Sequence, residues 1–136
     1  MYGSLEAVTG RFRIVGALMI VHALIGLFWP PMHLRGAHFS TTDALHIAFA
    51  IVTVLFFIAE IVMGALAMGR IFRIYSGVTL AVFLVFGSLT GLEGPKIAQN
   101  LPTPWIGVWE RINIGAFMLW IAVLAVTLLR QPERRQ

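Results

Sequence analysis

Gly91–Asn113, GLEGPKIAQNLPTPWIGVWERIN, is the longest interruption in an otherwise apolar chain, and its reading decides how the rest is divided. It gathers Glu93, Lys96, Asn100 and the Glu110–Arg111 pair between two oily runs. Gly91, Gly94, Pro95, Pro102 and Pro104 predict a break in the helix here, as an ordered loop or a short surface helix. Thr103–Pro104 reads as a cap followed by proline in the first turn of the next helix. Trp105 and Trp109, one turn apart, fit the headgroup level of a bilayer, where tryptophan is enriched.

Outward from this stretch lie four apolar runs, about 12–29, 44–68, 74–91 and 105–129. Each is close to the roughly 20 residues that a membrane-spanning helix needs. The chain of 136 residues is 59% hydrophobic and 12% charged, with a mean hydropathy of +0.87, whereas a soluble domain carries about 25% charged residues. The lipid bilayer is therefore the expected surroundings. The expected fold class is all-α: one antiparallel four-helix transmembrane bundle over 1–136, with outer loops 30–43 and 92–104. The four runs leave no length for a separate soluble domain.

The absence of cysteine excludes thiol catalysis, disulfides and cysteine-based metal sites. A sequence pI near 10.7 could point to nucleic acid, but the basic residues sit at the ends of the apolar runs and form no single basic face. They read as topology determinants, and no nucleic-acid partner is expected. Arg11, Arg13, Arg70, Arg73, Arg130, Arg134 and Arg135 fall on one side, against Arg35, Lys96 and Arg111 on the other. That bias puts both termini in the cytoplasm and the two longer loops outside, in a multi-pass protein of the inner (plasma) membrane. Arg11 and Arg13 precede the first run as in a signal peptide, but Phe28-Trp29-Pro30-Pro31 offers no small-residue cleavage site, so the run reads as a retained span.

Polar residues inside the spans are costly and therefore informative. His22 lies on a helical stripe with Val15, Met19, Gly26 and Trp29, while Gly16, Ala17 and Ala23 would let a neighbouring helix approach closely. In the second run Asp43, His46, Thr53 and Glu60 share one narrow face, because steps of three and seven residues nearly complete whole turns. Thr42 or Asp43 is the expected cap of that helix. Counted from the arginine side, His22 and Glu60 lie at equal depth, about 12–14 Å, and are expected to form a buried polar pair. The pair reads as a clasp between helices or as a proton relay.

His33, His38 and His46 invite a metal reading, but their spacing matches no zinc template; neither a metal nor a cofactor is expected. Adjacent Glu110 and Arg111 point about 100° apart and so should pair with other segments, Lys96 with Glu110, and Glu93 or Asp43 with Arg111. Asp43, His46, Glu93, Glu110 and Arg111 are thus the candidate catalytic residues at the outer face, as acid and base toward a lipid-like molecule. The same charges would also serve as salt links tying the outer ends together.

MHLRG (Met32–Gly36), STTDALHI (Ser40–Ile47), RIFRIYSGVTL (Arg70–Leu80) and above all LPTPWIGVWERINIGAFMLW (Leu101–Trp120) resemble an uncharacterised bacterial family of integral membrane proteins. That family, often actinobacterial, is classed as a domain of unknown function, and the resemblance runs from about Phe12 to Arg130. It implies members with six spans, of which this chain would be the C-terminal four-helix portion, and it implies no reaction. Three functional readings follow. The first is a non-catalytic structural, accessory or interaction subunit that packs on a membrane-protein partner or forms a homo-oligomer. The second is a membrane enzyme or binding protein for a hydrophobic small molecule, and the third is proton-coupled transport by an oligomer, resting on Glu60.

Overall fold

A computed structural model describes residues 2–33 and 38–130. Arg35, Arg134 and Arg135, used above to orient the chain, and Leu34–Gly36 of the MHLRG motif lie outside the described residues. Four helices follow one another: α1 (Tyr2–Gly26), α2 (Thr41–Ala67), α3 (Arg70–Ala98) and α4 (Ile106–Leu129). All four contain a stretch long and apolar enough to cross a membrane. The fold is the all-α four-helix arrangement expected.

Several boundaries differ from the expected ones, each for a local reason. α1 closes at Gly26, not Trp29, where Leu27 N–H and Phe28 N–H bond back to Leu24 O and Ile25 O and tighten the last turn. Pro30 and Pro31 then hold the chain extended, since the residue before a proline avoids the helical region. α2 is capped by Ser40, not by Thr42 or Asp43: the Ser40 hydroxyl accepts from Asp43 N–H while the Asp43 carboxylate accepts from Ser40 N–H. This is a reciprocal capping box, which places Asp43 at the third helical position.

The largest correction concerns the opening stretch. α3 runs through Gly91, Gly94 and Pro95 to Ala98, so the first half of the expected 92–104 loop is helix. A proline in a last turn forfeits one backbone bond, and the solvent-facing end of a helix can bear it. The stop comes later, at Asn100, whose φ of 56° is left-handed. Leu101 N–H bonds Lys96 O at 2.8 Å and Asn100 N–H bonds Ile97 O at 3.0 Å, the two crossed bonds of a Schellman closure. α4 then starts at Ile106, with Trp105 as its N-cap.

The two-residue link Met68-Gly69 makes α2 and α3 antiparallel neighbours. α3 packs against α4 and α1 against α2, whereas α2 meets α4 only lightly and α1 reaches neither α3 nor α4 through its backbone. The bundle is therefore open along one side, between α1 and α4. The start of α1, the end of α2, the start of α3 and the end of α4 share one end, which carries Arg11, Arg13, Arg70, Arg73 and Arg130. Arg11 Nη1 donates to Leu66 O and Arg73 Nε to Ala65 O, so two of these arginines satisfy the free carbonyls at the end of α2.

Between helices in lipid, close packing and hydrogen bonds must replace the hydrophobic drive. The tightest packing is at Trp120, which is fully buried on α4 against Phe72 and Gly64. Its indole Nε1 donates to Ser76 Oγ at 2.9 Å, joining α4 to α3. Asn113, oriented to satisfy its amide, donates to Phe83 O at 3.3 Å and accepts from Gly87 N–H at 3.0 Å. Large side chains such as Ile20, Leu55, Leu84 and Met118 point outward, the pattern of helices solvated by hydrocarbon.

A methyl group on Gly64 would stand 2.6 Å from the Trp120 ring, whereas one on Gly77 would meet no atom within 4 Å. Gly64→Ala should therefore lower unfolding stability by about 1–3 kcal/mol through overpacking. Gly77→Ala should be neutral or stabilising by up to about 1 kcal/mol, the helix preference of alanine over glycine. Thermal or denaturant unfolding in lipid checks this, and equal behaviour of the two variants would contradict the Gly64–Trp120 contact.

Candidate functional site

The polar stripe on α2 faces inward, as its spacing requires: Asp43 and Glu60 are both 0% exposed. Glu60 lies seven residues before the end of α2, about 10 Å in. There its Oε1 stands 3.1 Å from His22 Nδ1 on α1, within hydrogen-bond distance. Three aromatic rings enclose the imidazole: Phe56 stacked with centroids 5.5 Å apart, Phe57 edge-on at 4.9 Å, and Phe117 of α4 at 6.0 Å. The pair thus joins three helices at one depth. The other carboxyl oxygen, Oε2, is buried and has no hydrogen-bond partner among the described residues.

Glu60 and His22 belong to the wall of a cleft of about 340 Å³ on the open side between α1 and α4. Met19, Ala23 and Gly26 of α1 and Phe117 and Ile121 of α4 complete it. Its volume is at the lower end of the roughly 300–1,000 Å³ typical of small-molecule sites. A larger hollow of about 720 Å³ lies at the arginine end between α3 and α4. It is mostly apolar, and the Thr127 hydroxyl on its wall already donates to Val123 O, so no unpartnered buried group marks it. The smaller cleft is the candidate site, because a polar group without a partner inside an apolar recess is what a ligand can satisfy.

The five candidates expected at the outer face take different partners. Asp43 is bound from its own loop: Oδ1 accepts from His33 N–H at 2.8 Å, and Oδ2 accepts from Ser40 N–H and Ser40 Oγ, both at 2.7 Å. His33 Nδ1 also lies 2.7 Å from Oδ2, within ion-pair range when the ring is protonated but off the hydrogen-bond direction. His46 Nδ1 donates to Pro30 O at 2.7 Å, with Trp29 edge-on to its ring. These contacts pin the extended segment 29–33 along α2.

Glu93 pairs with Lys96 on its own helix at 2.7 Å, and Arg111 donates to Gly107 O one turn back. Lys96 therefore serves Glu93 and not Glu110, and Arg111 reaches neither Glu93 nor Asp43, contrary to the pairing expected. Short-range contacts along a helix hold long exposed side chains at lower entropic cost than contacts between segments. Glu110 is exposed. Asp43 and His46 are both engaged in holding the loop. Among the described residues no three histidine, aspartate or glutamate side chains gather as a metal site would require; His38 is exposed, away from the bonds of His33 and His46.

A family model described as "Protein of unknown function (DUF998)" matches residues 3–127, nearly the whole of α1 through α4. The chain belongs to the DUF998 family. No curated protein and no solved structure matches it. The narrower expectation, that this is only the C-terminal four-helix portion of the family pattern, finds no support in that match and is dropped. For this DUF998 member the family therefore secures kinship without a reaction, and the site must be read from its own geometry.

Sequence reasoning located His22, Glu60, Met19 and Gly26 on facing stripes but missed the α4 wall. Phe117 and Ile121 sit four residues apart on a helix that is apolar all round, and nothing in their spacing separates a cleft wall from a lipid face.

Asp43→Ala removes the acceptor of three hydrogen bonds and should cost about 1–3 kcal/mol, with faster amide exchange at His33 and Ser40. Glu110→Gln, at an exposed position, should stay within about 0.5 kcal/mol of the parent. Unfolding and amide exchange measured side by side decide it, and equal costs at the two positions would contradict the loop-pinning role of Asp43.

Proposed function

We propose that this DUF998 protein is a non-catalytic multi-pass protein of the plasma membrane, its arginine-bearing end in the cytoplasm, that holds a hydrophobic small molecule drawn from the bilayer. The observation that carries the proposal is the lateral cleft between α1 and α4, apolar except at His22 and Glu60, where Oε2 of Glu60 has no hydrogen-bond partner among the described residues. A recess open to the side of a bundle is reached from the hydrocarbon, so its natural ligands partition into lipid.

Two features weigh against the other readings. Acid–base catalysis at the outer face needs at least two charged side chains free to act on one recess, and Glu93 is paired with Lys96, Arg111 with Gly107 O, and Asp43 with His33 and Ser40. Proton-coupled transport needs a path to Glu60, yet the next polar group on that face, Thr53, is two turns or about 10 Å away, beyond direct proton transfer. A second reading, association with another copy or a partner subunit, is favoured by α1 alone. α1 makes close backbone contact with α2 alone, Ala17 is exposed, and a side chain at Gly16 would meet nothing within 4 Å.

A photoactivatable alkyl probe in bilayers should label α1 around Met19 and α4 around Ile121 saturably. Ala23→Trp, which fills the cleft, should remove that labelling without lowering the unfolding temperature. Uniform, unsaturable labelling of the lipid-facing Ile20, Leu55 and Met118 alike would overturn the proposal.

A further inference from the structure

We infer that the cleft selects a cationic amphiphile, a protonated alkyl amine whose N–H donates to Oε2 of Glu60; this rests on the ligand-binding reading above and names the head group. Oε1 is occupied by His22 at 3.1 Å, while Oε2 is buried and lacks a donor among the described residues. A carboxyl oxygen left without a donor in a low-dielectric interior is destabilising, so the complementary ligand brings a donor. Head groups with acceptors only, such as ethers, esters or carboxylates, would add a second unsatisfied oxygen. An ammonium brings both charge and N–H groups, and a charge-assisted bond of this kind is the stronger type.

The rest of the wall fits the same molecule. Phe117, whose ring lies against His22 and stacks on Phe57 with centroids 3.8 Å apart, adds an apolar wall beside Glu60. Met19, Ala23, Gly26 and Ile121 offer only apolar contact, suited to one alkyl chain and to no second charge. Met19, unbranched and flexible, is the lining side chain best able to yield as the head group seats. The volume of about 340 Å³ is of a size to hold one alkyl chain with a small head group.

The test compares dodecylamine, dodecyltrimethylammonium and dodecanoate binding to the full chain in phosphatidylcholine nanodiscs, with Ala23→Trp as the control for site. Dodecylamine should bind at least about ten-fold tighter than dodecyltrimethylammonium, which carries the charge without an N–H donor, and dodecanoate weakest. Glu60→Gln should erase the preference for the amine, and Glu60→Asp, shorter by one methylene, should reduce it. The comparison of ligands on the unmodified chain needs no variant to fold. If all three bind alike and Ala23→Trp still blocks them, the head-group assignment fails while the cleft reading stands. If Ala23→Trp changes none of them, the cleft reading itself fails.

Discussion

A carboxyl group in hydrocarbon must find a partner, and that constraint at Glu60 shapes this molecule. Nothing on α2 itself can meet it, because the neighbouring face offers only Thr53 two turns away. The partner comes from α1, where His22 reaches across at the same depth. The aromatic rings of Phe56, Phe57 and Phe117 then close around the imidazole and bring α4 to the same level. α1, which has no backbone contact with α3 or α4, is thus set against the bundle by side chains at this depth. Because the contact satisfies one carboxyl oxygen and not the other, the side where α1 and α4 fail to close becomes a recess with a polar point in it.

The remaining structure keeps that recess open while making the rest tight. α3 and α4 are drawn together by the Trp120–Ser76 bond and by Asn113 on the α3 backbone, and Gly64 lets α2 approach the indole. The ends are satisfied by side chains: arginines on the carbonyls closing α2, the Ser40–Asp43 box at its start, and the crossed bonds at Asn100 after α3. Such closures matter more at membrane boundaries, where a free backbone group that drifts into lipid finds no water. Arg11 and Arg73 at that end therefore have a structural use.

Much of this was legible in the residues. Four apolar runs, a polar face on α2 and the equal depth of His22 and Glu60 follow from helical rise and from the cost of burying charge. What was not legible depends on which of several adequate partners a side chain takes. Lys96 could serve Glu93 or Glu110, and Asp43 could serve as a cap itself or return to Ser40; both choices went to the nearer group. Pro95 misled for a different reason: a proline signals a break, but in a last turn it removes only one bond, and the left-handed Asn100 supplies the stop. The α4 wall of the cleft was invisible because a lipid-facing residue and a cleft-facing residue have the same chemistry in a membrane.

The His22–Glu60 contact, made in hydrocarbon, energetically couples α1 to α2. A double-mutant cycle with His22→Phe and Glu60→Leu, read as unfolding free energy in lipid bilayers, measures that coupling directly. The two losses should not be additive, with an interaction of about 1–2 kcal/mol. Additive losses, with no interaction between the two positions, would contradict it.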